Sequence, residues 1–212
     1  MHLKNERLPK QKINKRKKSS KKKLNKRKKR WGKNVVANLF FVFFTVLCLI
    51  MLSTTRTHLV DGNSMLPTFE NRDRMIVSKA TRIERYDVVT FEPKDQMSKS
   101  YVKRIIGLPG DAIWLDGTNL YLNHQLREPV NSSGKTVNQT DIPDGTLKIK
   151  LSQGIARSLE GLARIPEKKY FVLGDNRNNS RDSRTIGLID ADQIEGVAVY
   201  RYYPFTRMGR IH

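Results

Sequence analysis

The chain opens on a long polar stretch, crosses one unbroken apolar run, and then settles into short apolar segments separated by turn residues. The apolar run is VVANLFFVFFTVLCLIML, Val35 to Leu52: 18 residues without a charge, with Asn38 and Thr45 its only polar members. As an α-helix it covers roughly 27 Å, close to the hydrocarbon thickness of a bilayer. A helix that is apolar all round is either enclosed in a core or crosses a membrane. Beyond it, helical periodicity is weak and strand-like runs are frequent. RMIVSK (74–79), DVVTFE (87–92), YVKRIIG (101–107), DAIWLDG (111–117), NLYLNHQ (119–125), KKYFVLGD (168–175) and GVAVYRYYPF (196–205) read as strands. Pro109-Gly110, Asp116-Gly117 and Asp144-Gly145 mark turns between such runs. NLYLNHQLREPV reads as a strand and its return. LSQGIARSLEGLARI (151–165) is the best helix candidate, weakened by Gly154 and Gly161. The pattern predicts a mostly β protein, an N-terminal transmembrane helix followed by an all-β domain. Residues 112–169 form a peripheral elaboration in this reading, with NSSGKTVNQTDIPDGT a polar loop inside it.

Charge changes the picture at the N-terminus. The formal net charge is +21, of which residues 1–33 supply +16, with Glu6 their one acid. The extreme basicity therefore belongs to a tail and says little about the folded part. Such a tail serves either as a basic arm for nucleic acid or as a topology signal attracted to anionic lipid. The adjoining apolar run favours the second, and no specific nucleic acid is expected. By the positive-inside rule the basic side stays cytoplasmic. Three parts follow: a cytoplasmic tail (1–34), a transmembrane signal-anchor (35–52) and an extracytoplasmic domain (53–212). Cleavage after the run is disfavoured, because Ser53-Thr54-Thr55-Arg56 is a poor small-x-small site. The single cysteine, Cys48, lies inside the span, so no disulfide or cysteine metal site is expected outside it.

Candidate chemistry centres on VDGNSMLPTFE (60–70). Asp-Gly-Asn-Ser is ordinary turn chemistry, so Ser64 is either a turn serine or a nucleophile. A nucleophilic serine needs a base. The four histidines offer little: His2 lies in the tail, His212 ends the chain, His58 closely follows the span, and His124 sits in a polar hairpin. Lysine is the alternative. In YVKRIIGLPGD, strand alternation puts Tyr101, Lys103 and Ile105 on one face. Burial on the inner face of a β core lowers a lysine pKa toward the range where it accepts a proton from serine. The competing reading is a lysine that snorkels to the edge. A third stretch, YFVLGDNRNNSRDSRTIG (170–187), ends an apolar strand in a dense polar run. It is either a surface loop or a source of hydroxyls and Asp/Arg pairs that orient a base.

Together, GNSMLPTF (62–69), YDVVTFE (86–92), YVKRIIGLPGD (101–111) and FVLGDNRNNSRDSRTIG (171–187) resemble the bacterial type I signal peptidase family. They stand in that family's order behind its N-terminal anchor. The single anchor is similar to the Gram-positive members. The resemblance implies a Ser/Lys-dyad endopeptidase that removes signal peptides from exported preproteins after small residues, on a mostly β fold with two antiparallel sheet domains. It implies Ser64 as nucleophile and Lys103 as general base, with Ser180 orienting the lysine. Asp182 with Arg184, and Asp175 with Arg104, are implied as supporting pairs. No metal, nucleotide or other cofactor is implied. The substrate is implied to bind extended beside the strands carrying the dyad. Val60, Met65, Tyr101 and Val102 flank the dyad and are either walls of small pockets or ordinary core. Some members carry a serine two residues before the nucleophile that helps the oxyanion hole. Gly62 stands there in this chain, so another donor is needed besides the Ser64 amide. Two other readings remain: a self-cleaving Ser/Lys repressor-type peptidase, and a membrane-tethered protein whose tail binds nucleic acid or ribosomes.

Overall fold

The computed structural model describes residues 35, 38–95, 99–126 and 142–211. The basic tail, most of the predicted polar loop and the predicted return strand beyond Leu126 lie outside the described residues. The chain divides into two units, residues 1–53 and 54–212.

In the first unit, residues 38–54 form α1, apart from its last residue. Its apolar side chains, Leu39 to Leu52, are largely exposed. The hydroxyl of Thr45 donates to the Phe41 carbonyl four residues back, and that of Ser53 to Ile50. The helix therefore presents almost no free hydroxyl. Among the described residues, no helix is long and apolar enough to cross a membrane.

The second unit is mostly β. Its main sheet contains β1 (Thr55–Leu59), β2 (Arg74–Ser78), β3 (Val88–Phe91), β4 (Tyr101–Gly107), β8 (Lys169–Leu173), β9 (Ile189–Asp190), β10 (Ile194–Tyr203) and β11 (Gly209–Arg210). The order is β1-β2-β10-β3-β4-β8-β9, every pairing is antiparallel, and β11 adds to β10. A smaller antiparallel sheet joins β5 (Ala112–Asp116), β6 (Asn119–Asn123) and β7 (Leu147–Lys150). Two short helices complete the unit, α2 (Gln153–Leu159) and α3 (Ser183–Ile186).

Most predicted strands are present within a residue or two. The differences have local causes. The helix expected over 151–165 shrinks to α2: Glu160 leaves the helical region at φ -60°, ψ 135°, Gly161 follows at φ 81°, and the Leu162 amide closes the turn on the Leu159 carbonyl (3.1 Å). β6 pairs with β5 on one side and with β7, from beyond the polar loop, on the other. β1 has no apolar alternation to announce it, since TRTHL is an edge strand paired on one side with β2.

Alternation sorts the core. Met75 and Val77 of β2 join Val60, Met65, Phe69, Val88, Val102 and Ala198 in one cluster. Val89, Phe91, Ile105, Val172 and Val197 form another. The smaller sheet and α2 pack around Ile113, Leu120, Leu122 and Leu159. Strand β4 is thus covered on both faces, which fixes the environment of Lys103.

Candidate active site

Ser64 lies in the turn between β1 and β2, at the rim of the Val60–Met65 core. Gly62 begins that turn at φ 93°, so the missing side chain answers a backbone need that serine meets only with strain. Its amide donates to Asn71 Oδ1 (3.1 Å). The far end of β8 then clamps the turn. The Asn176 amide donates to the Ser64 carbonyl (3.0 Å), and Asn176 Nδ2 donates to the Asn63 carbonyl (3.1 Å). The Ser64 amide itself has no acceptor among the described residues.

Lys103, near the middle of β4, is 3% exposed. Its Nζ lies 2.8 Å from Ser64 Oγ, donates to the Val102 carbonyl (2.8 Å), and sits 5.3 Å from the Tyr101 ring centroid. Burial pushes its pKa from 10.5 down to about 8, against the opposing pull of Asp182 and Asp175. An amine of that pKa, touching a serine hydroxyl, is equipped to take the hydroxyl proton near neutral pH.

Two carboxylates support the pair. Asp175, just past β8, receives Arg104 Nε (2.9 Å) and Nη2 (2.7 Å) in bidentate fashion, and the Thr68 hydroxyl (2.5 Å). Burial disfavours its charge, yet the bonds from Arg104 and Thr68 outweigh burial and hold its pKa below the usual value. This bridge ties the nucleophile's turn, through Thr68, to the base's strand, through Arg104. Asp182 is fully buried and caps α3. It accepts from Arg184 Nε (2.8 Å) and Nη2 (2.9 Å) and from the Gly174 amide (3.0 Å). Burial is again outweighed by these donors, so its carboxyl also stays below the ordinary range. Both carboxylates are stabilising above the ordinary aspartate pKa and lose that contribution as the pH falls through their depressed values.

Ser180 departs from expectation. Its hydroxyl is buried and forms no hydrogen bond, to Lys103 or to any other described group. It lies near enough to Asp182 to favour the charged carboxylate without meeting hydrogen-bond geometry. The expected wall residues divide. Val60, Met65 and Val102 are buried members of one core cluster, while Tyr101 is half-buried and stacks edge-on against Phe91. Of the histidines, His58 reaches Glu195 and His124 lies exposed in a turn, so neither is bonded to Ser64. Among the described residues no cluster is suited to hold a metal.

Three contributors went unread in the sequence: Thr68, Asn176 and Gly174. Gly174 is the most exacting. A Cβ there would stand 2.2 Å from Ser180 Oγ and 2.6 Å from the Ser64 carbonyl oxygen. The glycine closing the YFVL strand was its signal. Gly174→Ala is expected to push the Ser64 turn away from Lys103 and lower kcat/KM by about 100-fold, the scale of an ångström-level misplacement. Thermal unfolding run beside the kinetics is expected to show a loss of about 1–3 kcal/mol from overpacking. Wild-type kinetics in the variant would contradict this packing.

The chain matches the family described as signal peptidase, peptidase S26, over residues 28–203. It is 38% identical over 157 residues to signal peptidase I S of Bacillus subtilis (strain 168), covering 71% of this chain and 78% of that protein. It is 36% identical over 171 residues to signal peptidase IB of Staphylococcus aureus (strain Mu50 / ATCC 700699), covering 78% of this chain and 86% of the relative. A crystal structure of a signal peptidase I from Enterococcus faecalis V583 aligns with 55% of this chain and 97% of its own, at 30% identity and a TM-score of 0.36. The chain belongs to the signal peptidase S26 family. It is a serine endopeptidase of that family.

Proposed function

We propose that this protein is a membrane-bound signal peptidase that cuts exported preproteins after small residues with a Ser64/Lys103 dyad. The observation that carries the reading is the 2.8 Å approach of the Lys103 amine to the Ser64 hydroxyl, with the lysine buried. Neutral Lys103 takes the hydroxyl proton as Ser64 Oγ attacks the scissile carbonyl. The tetrahedral oxyanion is stabilised by backbone N–H groups, the unengaged Ser64 amide first among them. Lys103 then returns the proton to the leaving amine as the C–N bond breaks, leaving an ester on Ser64. Water attacks the ester, again deprotonated by Lys103, and the serine hydroxyl is restored. Once Ser64 is acylated, Lys103 loses its hydroxyl partner. The unpartnered Ser180 hydroxyl is then the group available to orient it.

The substrate adds as an extended strand beside β4, with Val60, Met65, Tyr101 and Val102 shaping shallow pockets near the dyad. The chain crosses the membrane once, at 35–52, with the basic tail on the cytoplasmic side and against anionic lipid. The exposed apolar side chains of residues 39–52 support this. So does the outer face of the main sheet. Leu59, Arg74 and Tyr203 lie in register there, Phe205 stacks edge-on against Tyr203 and is 77% exposed, and Met208 is exposed nearby. Aromatic groups beside arginine suit a headgroup layer.

Acid-quenching a preprotein reaction and mapping the adduct by mass spectrometry tests the covalent step. The expected result is a signal-peptide fragment esterified to the peptide containing Ser64. Steady cleavage with the adduct on another residue would contradict it.

A further inference from the structure

We infer that Arg201 is a positioning residue for cleavage: reaching from β10, it holds the nucleophile loop at the Thr68 carbonyl and, together with Arg207, at the buried Asp73 carboxylate, and so sets how closely Ser64 approaches Lys103. The inference rests on the dyad reading above. It adds a determinant that lies outside all four stretches carrying the family resemblance.

The loop that carries Ser64 runs from Val60 to Asp73. Two backbone bonds close its ends, from the Val60 amide to the Asp73 carbonyl (2.8 Å) and from the Arg72 amide to the Val60 carbonyl (2.8 Å). Inside it the Phe69 amide donates to the Met65 carbonyl (2.9 Å), so a single turn links Ser64 to Thr68. Thr68 is held from two sides. Its hydroxyl donates to Asp175, whose carboxylate also receives Arg104 from the base's strand. Its carbonyl accepts from Arg201 Nη1 (2.7 Å). The first contact ties the turn to β4 and the second ties it to β10.

The strand is shaped to deliver Arg201. The pairing of β10 with β2 shifts register between Ala198 and Tyr200, and again between Arg201 and Tyr203. Irregularities of this kind re-aim a side chain, and Arg201 stands between the two. Its guanidinium lies over the Phe69 ring, 5.5 Å from the centroid. Nε donates to the Arg207 carbonyl (2.6 Å), and Nη1 also lies 3.3 Å from Asp73 Oδ2. Asp73 is 1% exposed. It accepts from the Glu70 amide (3.0 Å) and from Arg207 Nη2 (2.8 Å), while Arg207 Nη1 pairs with Glu70 (2.6 Å). Two arginines thus meet two carboxylates, and loss of either arginine leaves a buried charge short of partners. Lysine at 201 keeps the charge but not the planar fork that reaches Thr68, Asp73 and Arg207 together.

A turn released at Thr68 moves Ser64 away from Lys103. Two effects follow. The proton transfer slows, because it depends on ångström-level placement. Water also reaches Lys103, whose pKa is lowered by burial, and the amine returns toward its ordinary value.

The test uses full-length wild type, Arg201→Lys and Arg207→Lys in detergent. Arg85→Lys is the control: Arg85 makes a pair of the same kind with Asp111 and donates to the Ile106 carbonyl, and none of these bonds involves the nucleophile loop. Preprotein cleavage is followed from pH 6 to 10, below each variant's own unfolding midpoint, so that folded enzymes are compared. Arg201→Lys is expected to lower kcat by about tenfold or more, to change KM by less than about threefold, and to move the acid limb of kcat/KM to higher pH. Arg207→Lys is expected to do the same to a smaller extent. Arg85→Lys is expected to lower the unfolding midpoint alone. Folded Arg201→Lys with wild-type kcat and pH profile would overturn the inference, as would a loss confined to KM. If Arg201→Lys does not fold, a wild-type kcat and profile in Arg207→Lys overturns it equally. Absence of cleavage by the wild type would instead overturn the dyad reading and the inference with it.

Discussion

Replacing Lys103 with methionine is expected to abolish cleavage while making the protein more stable. The two effects share one cause. A buried lysine held at a pKa of about 8 rather than 10.5 costs about 3 kcal/mol at neutral pH, where the folded state must carry the charge in a desolvated site. The sign follows from proton linkage. Between pH 8 and 10.5 the unfolded chain binds the proton and the folded chain does not, so stability rises with pH across that window; below it the full cost applies. Methionine has similar length and no charge, so the penalty disappears, less the hydrogen bond lost at the Val102 carbonyl. The same substitution removes the group that accepts the Ser64 proton, with an expected loss of about 10⁴-fold in kcat. Thermal unfolding at pH 7 beside a cleavage assay reads both. A variant that is inactive and less stable than wild type would mean that Lys103 is a structural cation, held by Asp182 and Asp175.

Ser64→Ala is expected to lower kcat by at least about 10⁴-fold, and the double variant with Lys103→Met to be no worse than either single change. Nucleophile and base act as a unit, so removing the second partner takes away nothing the first had not already removed. Folding should survive. Ser64 anchors its turn through its backbone carbonyl, which accepts from Asn176, and alanine keeps that bond. Additive losses in the double variant would mean that the two residues serve separate steps.

Much of the fold was legible because its segments carry their own signals. RMIVS places Met75 and Val77 inward and Arg74 outward by simple alternation, and the structure follows it. Alternation grouped Lys103 with Tyr101 and Ile105 but left open whether it is buried or reaches the edge; it is found nearly sealed. Other elements were silent for physical reasons. TRTHL is a solvent-edge strand with no apolar pattern, and its place is set by pairing with β2. LKIK of β7 is too short to stand apart from the polar stretch before it, and β6 alone recruits it. Resemblance supplied the identities of the candidate site residues. Their geometry required the fold. The link from Thr68 through Asp175 to Arg104 joins residues 107 and 71 positions apart. Nothing in a linear sequence brings such groups together. The Ser180 hydroxyl shows the converse, since its family position implied a bond to the lysine that the resting geometry does not make.

The pH dependence of kcat/KM for a preprotein, measured from pH 5 to 10 in detergent, tests the dyad most directly. A base that works only when neutral, with a pKa of about 8, requires the rate to climb tenfold per pH unit on the acid side and to level off above pH 8. A climb that ends near pH 6.5 would point to a histidine. A rate independent of pH across this range would remove Lys103 from the chemistry.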